Sequence, residues 1–181
     1  MYIKKDELMQ DFKYNTAYEN GKSYLESKGD KIGVLMFLRY YGCTICQLDI
    51  MEFNHLYEEF QKLGVDVKIV LQSSPEIIKK ADEEAKVKFE IICDPDQELY
   101  NHFEIKAAAT IEELKAGNIA DKVTEARSHG FSHGEYEGNE LQLPAAFIIG
   151  KDNKVIYSHY GQDGADIPRA KEVLEFIKKT V

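Results

Sequence analysis

Apolar residues in this 181-residue chain occur either in short continuous runs or at helical spacing. A continuous apolar run over residues 32–38 predicts a strand buried on both faces. Over residues 44–63 the apolar positions recur at three- and four-residue intervals, which predicts a long amphipathic helix ended by Gly64. A second strand is predicted over residues 65–71.

The alternation continues through the next 30 or so residues. Ser73-Ser74-Pro75 is predicted to start a helix, because Ser caps free amides and Pro is tolerated in a first turn. Residues 89–93 then predict a third strand, and residues 94–103 a short helix. Strands that alternate with helices favour right-handed crossovers onto a parallel sheet, so the fold class is α/β.

Two regions depart from this alternation. Residues 1–30 are predicted to form a helical extension, because residues 5–28 lack proline and carry an interrupted apolar stripe. The stripe consists of Leu8, Phe12, Tyr18 and Leu25. Residues 105–140 predict two helical stretches around a Gly117-Asn118 break, followed by a polar loop. This region is too short for a core of its own, so we interpret it as an insert.

The last third of the chain predicts two strands and a helix. Residues 145–149 and 154–159 are apolar runs that flank a four-residue turn, so these strands must be antiparallel. A helix is predicted over about residues 168–179. We therefore expect one domain over residues 1–181, with a central mixed sheet flanked by helices.

Composition narrows the functional classes. Acidic residues outnumber basic ones 32 to 23, the net charge is −9, and no stretch concentrates Lys and Arg, so we expect no nucleic-acid partner. The apolar runs are too short to span a bilayer and the amino terminus lacks a signal region, so we expect no membrane partner and a cytoplasmic location. Three cysteines and no tryptophan do not suit a disulfide-stapled extracellular framework.

Two of the cysteines lie where a helix is predicted to begin. Cys43-Thr44-Ile45-Cys46 directly follows the first buried strand, and this spacing lets the two sulfurs meet across one helical turn. Free backbone amides and the positive end of the helix dipole face that position. They stabilise a thiolate and lower its pKa from about 8.5 toward neutrality. The pattern predicts a nucleophilic cysteine with a resolving partner.

Zinc is the competing interpretation of this spacing. A structural zinc site needs four ligands. The remaining thiol, Cys93, ends a later strand, and we find no second CxxC or HxxxH pair to complete a tetrahedral site. His129 and His133 lie four residues apart, but Gly130 separates them, so we interpret them as solvated loop residues. We expect no metal and no cofactor, and we interpret Cys93 as a buried structural thiol.

Leu143-Pro144-Ala145 places a proline directly before a predicted strand. Proline is tolerated at the first residue of a strand, and a cis bond there turns the chain sharply. The pattern becomes specific when three features are combined. They are a buried strand, a CxxC at the start of the following helix, and this proline about 100 residues farther along the chain.

On these residues the chain resembles the thioredoxin fold and, within it, the peroxiredoxin-like branch of the alkyl hydroperoxide reductase/thiol-specific antioxidant family, over residues 32–181. The most specific stretch is Phe37-Leu38-Arg39-Tyr40-Tyr41-Gly42-Cys43-Thr44-Ile45-Cys46-Gln47-Leu48-Asp49. The peroxidatic motif of the family is Thr-x-x-Cys, followed three positions later by an acidic residue. The resemblance places Cys46 at the peroxidatic position, Asp49 at the acidic position and Cys43 at that of the Thr.

Two departures from the family pattern bear on function. Arg39 occupies the position of a proline, and Pro144 occupies that of an arginine which helps to polarise the peroxide. Pro144 instead resembles the cis-proline of thioredoxins, which guides a substrate disulfide toward the CxxC. Tyr41-Gly42 replaces the tryptophan that precedes a thioredoxin CxxC. We therefore expect a thioredoxin fold with an N-terminal helical extension and a helical insert before a cis-Pro strand.

The resemblance and the residue pattern assign roles as follows. Cys43 and Cys46 are the expected catalytic residues. Pro144, Tyr41, Arg39 and Thr44 are expected to position the substrate, and Asp49, Glu137 and Arg127 are the accessory candidates. For Arg39 the alternative is a strand-end residue that reaches solvent, for Arg127 an exposed helix residue, and for Glu137, a candidate proton acceptor, a polar surface loop.

The predicted function is thiol–disulfide oxidoreduction. In a thioredoxin-like cycle Cys43 attacks a substrate disulfide and Cys46 resolves the mixed disulfide. In a peroxidase cycle Cys46 is oxidised to a sulfenic acid and condenses with Cys43. The expected partners are a thiol reductant of thioredoxin or glutathione type and a peroxide or disulfide substrate, and the resemblance adds a homodimer. The alternative is a redox sensor or interaction module without turnover.

Overall fold

A computed structural model of the protein describes residues 1–180; Val181, the last residue of the predicted domain, lies outside the described residues. The strands are β1 (Lys13–Tyr14), β2 (Lys22–Ser23), β3 (Ile32–Phe37), β4 (Val65–Leu71), β5 (Glu90–Cys93), β6 (Ala145–Ile149) and β7 (Val155–Tyr160). The helices are α1 (Tyr24–Lys28), α2 (Thr44–His55), α3 (Tyr57–Lys62), α4 (Pro75–Ala85), α5 (Glu98–His102), α6 (Ile111–Leu114), α7 (Ile119–Ser128) and α8 (Ala170–Thr180). None of the helices in residues 1–180 combines the length and apolar content needed to cross a bilayer.

Five strands form one mixed sheet in the order β5-β4-β3-β6-β7. The central strand β3 is buried at every residue, as its apolar run predicts. It runs parallel to β4 and antiparallel to β6, so that Phe37 lies between Val70 and Ala145. The predicted mixed sheet and the antiparallel β6–β7 hairpin are confirmed.

Successive residues of β3 supply two apolar clusters, because side chains alternate between the faces of a strand. Val34 and Met36 pack in a cluster that includes residues of α2 and α8. Leu35 and Phe37 pack in a second cluster with residues of α5 and of the N-terminal segment. Burial on both faces fixes β3, and with it the position of the chain that leaves its carboxyl end.

The predicted N-terminal helix over residues 5–28 is wrong. The segment forms the β1–β2 hairpin, and only Tyr24–Lys28 is helical. In the turn, the Thr16 hydroxyl accepts hydrogen bonds from the backbone N–H groups of Tyr18 and Glu19, which offers the chain an alternative to helix. Phe12 stacks on Tyr24 with ring centroids 4.7 Å apart. A side chain of the predicted helical stripe therefore packs beside the hairpin instead.

Two other predictions need correction. The long helix over residues 44–63 is broken at Leu56 into α2 and α3, and Phe60 of α3 then stacks on Phe53 of α2. The expected cis bond before Pro144 is wrong, since residues 1–180 contain no cis peptide bond. The chain needs no sharp turn there, because the Leu143 N–H donates to the Lys106 carbonyl and the chain runs directly into β6.

The insert adopts the two predicted helical stretches, α6 and α7, on either side of Gly117-Asn118. Its second helix, α7, packs against α2. After α7 the chain runs as an irregular segment toward β6. This segment lies beside the predicted dithiol.

Candidate dithiol site

Cys43 and Cys46 lie at the start of α2, just beyond the carboxyl end of β3. Cys43 is the N-cap residue, and its carbonyl accepts the hydrogen bond of the Gln47 N–H at 3.1 Å. Both cysteines are free thiols, with relative exposures of 0% and 3%. The predicted location is therefore correct, and the two sulfurs are closed off from solvent.

Arg39 brings a positive charge to Cys43. Its Nη2 donates to the Cys43 Sγ at 3.1 Å, and its Nη1 donates to the Glu140 carbonyl at 2.6 Å. The guanidinium carbon lies 5.7 Å from the centre of the Tyr40 ring. The side chain therefore faces the dithiol, and the alternative of an arginine that simply reaches solvent is wrong.

The two thiols differ in acidity. Burial by itself raises the pKa of Cys43, but a hydrogen bond from the Cys46 thiol and the charge of Arg39 lower it to about 6. Burial, its hydrogen bond to Cys43 and the negative charge of the Cys43 thiolate raise the pKa of Cys46 well above its usual value. Cys43 is thus the more acidic of the two thiols. The backbone N–H of Cys46 contributes less to this difference than Arg39 does.

Residues 132–140, which we call the covering loop, are hydrogen-bonded to the start of α2. The Gly134 N–H donates to the Gly42 carbonyl at 2.8 Å, and the Gly42 N–H donates to the Glu137 Oε1 at 2.8 Å. The Gln47 side chain donates to the Ser132 carbonyl at 3.0 Å. These contacts hold the loop against Gly42 and Gln47, which flank the dithiol.

A second set of contacts joins the covering loop to the residue after Arg39. The Tyr40 hydroxyl donates to the Glu140 carboxylate and lies 3.0 Å from the His133 Nε2. The Glu140 Oε2 is 3.8 Å from the Arg39 Nη1. His133 is exposed, as predicted for a loop histidine, but its ring also contacts this buried tyrosine.

Asp49 lies one turn after Cys46 and is buried. Its carboxylate pairs with the Lys122 ammonium of α7 at 2.8 and 2.9 Å, and both side chains are 4% exposed. The ion pair joins the insert to α2 rather than contacting a sulfur. Asp49 thus has a partner that the sequence did not reveal.

The other predicted residues are dispersed around the site. Tyr41 is half-buried and its N–H donates to the Ser73 hydroxyl at 2.8 Å. Thr44 is buried in the first turn of α2. Pro144 directly precedes Ala145, which pairs with Phe37, so it lies at the same sheet edge as the chain entering the site. Its carbonyl accepts from Gly161.

Arg127 does not join the site. It is exposed on α7, and its side chain makes no hydrogen bond or ion pair within residues 1–180. The alternative prediction for Arg127, an exposed helix residue, is confirmed.

Four contributing residues were missed by the sequence reasoning. They are Tyr40, Ser73, Lys122 and Glu140. Tyr40 lies just before the CxxC and Glu140 just before Pro144. This proximity in sequence was the only indication that either residue contributes to the site. Ser73 and Lys122 come from separate elements, and nothing in their local sequence indicates the contact.

Metal ligands do not converge anywhere in the part of the chain that the structure describes, where no three His, Cys, Asp or Glu side chains form a cluster suited to a metal ion. Cys93 is buried at the end of β5, and burial raises the pKa of its thiol to about 12. Its thiol is therefore protonated and unreactive at neutral pH.

The sequence matches the family described as AhpC/TSA over residues 6–158. A prostamide/prostaglandin F synthase from Salmo salar is 24% identical over 137 residues, which cover 74% of this chain and 68% of that protein. Peroxiredoxin-like 2C from Bos taurus is 20% identical over 156 residues, covering 82% and 68%.

Solved structures agree on the fold. A cysteine-to-serine mutant of peroxiredoxin 6 from Arenicola marina superposes with a TM-score of 0.75 at 18% identity, covering 98% of this chain and 73% of that one. A peroxiredoxin-like protein from Aquifex aeolicus gives 0.70 at 18% identity, covering 100% and 90%. The architecture is thus the thioredoxin fold in the form found in peroxiredoxins.

Proposed function

The chain belongs to the AhpC/TSA family and is a peroxiredoxin-like, thiol-dependent oxidoreductase, and we propose that it reduces disulfides with Cys43 as the attacking thiolate and Cys46 as the resolving thiol. The observation that carries this proposal is the contact of Arg39 with Cys43. Together with the hydrogen bond from the Cys46 thiol, this contact supports an acidic Cys43, whereas burial and the bond to Cys43 raise the pKa of Cys46. A thiolate is the species that attacks a disulfide sulfur.

The proposed cycle balances as follows. The Cys43 thiolate attacks one sulfur of R–S–S–R, the substrate S–S bond breaks, and one R–S⁻ leaves and takes a proton from solvent. Cys46 then gives its proton to solvent and attacks the Cys43 sulfur, which forms the Cys43–Cys46 disulfide and releases the second R–S⁻, which takes a proton from solvent. Two electrons pass from the protein to the substrate. An external thiol reductant of thioredoxin or glutathione type returns them.

Single-cysteine variants test the order of attack. Reduced Cys46→Ser should form a stoichiometric mixed disulfide at Cys43 with 5,5′-dithiobis(2-nitrobenzoate), whereas Cys43→Ser should react far more slowly at neutral pH. Cys93→Ser is the matched control, because it removes a thiol outside the site. This variant should react with the same reagent at the wild-type rate. Rapid modification of Cys46 in Cys43→Ser would contradict the proposed order.

Peroxide reduction is the second candidate, and the family match favours it. In the version with Cys46 as first nucleophile, the raised pKa of Cys46 opposes the reaction. A sulfenic acid trapped at Cys46 in Cys43→Ser after hydrogen peroxide treatment would support that version. The relative from Salmo salar is named prostamide/prostaglandin F synthase. We therefore include prostaglandin precursors as an additional substrate class in the assay.

Turnover separates an enzyme from a redox sensor or interaction module. With dithiothreitol as reductant and hydroxyethyl disulfide or hydrogen peroxide as oxidant, an enzyme consumes many equivalents of oxidant per protein. Oxidation of only one equivalent would favour the sensor. The homodimer, the single domain over residues 1–181 and the cytoplasmic location stay predictions, and sedimentation equilibrium tests the first of them.

A further inference from the structure

A cavity of about 230 Å³ lies between α4 and the covering loop and reaches the residue before Cys43. Backbone atoms of Gly42 line one side of it, and Tyr41, Ile77 and Ala81 supply apolar wall. Gly42 directly precedes the buried Cys43, so this cavity adjoins the turn that carries the dithiol.

The charges that line this cavity are mostly negative. Glu84, Glu135 and Glu137 contribute carboxylates, and Lys80 is the single cation among the lining residues. The pKa of Tyr41 is raised by burial and then by the charges of nearby carboxylates, Glu84 among them. The pKa of Tyr41 therefore indicates that the carboxylates near the cavity make its surroundings negative.

Glu137 adds an unused hydrogen-bond acceptor. Its Oε1 accepts from the Gly42 N–H, whereas its buried Oε2 has no hydrogen-bond partner within residues 1–180. A buried carboxylate oxygen without a donor keeps its negative charge uncompensated, so Glu137 adds to the negative charge beside the cavity.

Arg39 does not reverse this charge balance. Its side chain is 14% exposed, and it already faces the Cys43 thiolate and the Glu140 carbonyl and carboxylate. The positive charge of Arg39 is therefore compensated by the negative charge of the Cys43 thiolate. What a substrate meets at the cavity is the excess of carboxylates.

We propose that this cavity binds one arm of the substrate and selects disulfides with positively charged arms over those with negatively charged arms. The proposal rests on the disulfide-reductase function proposed above and specifies its substrate class. The apolar wall accommodates the carbon chain of the arm, and the carboxylates attract its cationic end. Selection of this kind acts mainly on the rate of encounter and weakens with salt.

Three disulfides of similar size and different charge test the proposal: cystamine, hydroxyethyl disulfide and 3,3′-dithiodipropionate. The rate of Cys43–Cys46 oxidation by each is divided by its rate with free dithiothreitol, because the leaving thiols differ in intrinsic reactivity. We expect normalised rates to fall in that order, with about tenfold between the first and last at low ionic strength. High salt should reduce this ratio toward one.

Charge-neutral variants locate the effect. Glu84→Gln and Glu135→Gln should each lower the cystamine-to-dithiodipropionate ratio severalfold, and Lys80→Gln should raise it. Glu175→Gln, an exposed carboxylate on α8, is the matched control and should leave the ratio unchanged. A ratio near one at low salt, or a ratio that these cavity variants do not change, would overturn the proposal.

Failure of the reductase function gives a different result. If hydroxyethyl disulfide does not oxidise the dithiol, the proposed function fails, and the cavity is then tested by alkylation of Cys43 with bromoethylamine, iodoacetamide and iodoacetate. Each rate is again normalised to that with a free thiol. Faster reaction of the cation, reduced in Glu84→Gln, supports the charge selection; equal normalised rates reject it.

Discussion

The guanidinium Nη2 of Arg39 lies 3.1 Å from the Sγ of Cys43. Arg39 follows the buried central strand by two residues, and Cys43 caps the helix that comes next, so both positions are fixed by the fold rather than by a flexible loop. After the hydrogen bond from the Cys46 thiol, the charge of Arg39 is the main influence that lowers the pKa of Cys43. It supports Cys43 as the nucleophile of the proposed cycle.

Replacing Arg39 should make Cys43 less acidic. Removal of an adjacent opposite charge shifts a pKa by about one to three units, so Arg39→Met is expected to raise the pKa of Cys43 by about that amount from its value of about 6. The pH dependence of thiolate absorbance in the reduced protein measures the shift. Arg127→Met removes an exposed arginine outside the site and should leave the curve in place; an unchanged curve for Arg39→Met would refute the assignment.

The hydrogen bond from Cys46 should also act on Cys43. Cys46→Ala removes the donor, whereas Cys46→Ser keeps one, so the alanine variant should show the higher Cys43 pKa, by about one unit. The pH profile of Cys43 alkylation in the two variants provides the comparison. Identical profiles would mean that Arg39 alone sets the acidity.

Acidity at Cys43 should couple to stability. The folded-state pKa of about 6 lies below the unfolded value of about 8.5, so the ionised thiol stabilises the fold above the unfolded pKa, and this contribution is lost as pH falls toward 6. Denaturant unfolding of the reduced wild type and of Cys43→Ser should show a free-energy difference that shrinks from about pH 8.5 to about pH 6. A pH-independent difference would contradict the linkage.

The covering loop should shift when Gly42 gains a side chain. A Cβ at this position would lie 2.5 Å from the Glu135 carbonyl oxygen, a backbone atom that moves only with the loop. Gly42→Ala should therefore accelerate alkylation of Cys43, measured at a pH where the thiol is fully ionised, and speed amide exchange over residues 132–140. Gly150→Ala, in the distant β6–β7 turn, should change neither quantity. Normal protection of the loop in Gly42→Ala would show that it tolerates the extra methyl group.

The sequence was most informative where local pattern and tertiary structure agree. The apolar run of β3 and the CxxC spacing at a helix start placed the dithiol correctly. The N-terminal stripe was misleading because Leu8 and Tyr18 are largely exposed, whereas Phe12 packs in a hairpin. Helical spacing alone does not report which residues find a partner across the sheet.

Contacts between distant segments were beyond the reach of local pattern. Glu140 meets Arg39 across about 100 residues of chain, and Lys122 meets Asp49 across 73. Neither residue differs in type or spacing from the solvated charges around it. Only the path of the insert over α2 brings them to the site.

The buried Lys122–Asp49 pair should be essential for docking the insert. Loss of one member of a buried ion pair leaves an uncompensated charge, at a typical cost of about 3–5 kcal/mol, so Lys122→Met should destabilise the protein by about that amount. The double variant Asp49→Leu/Lys122→Met removes both charges and should recover much of the loss. Lys178→Met, which breaks an exposed pair with Glu59, should cost less than about 1 kcal/mol. Denaturant unfolding of the reduced proteins measures all three changes, and a small effect of Lys122→Met alone would mean that solvent reaches Asp49 once the lysine is gone.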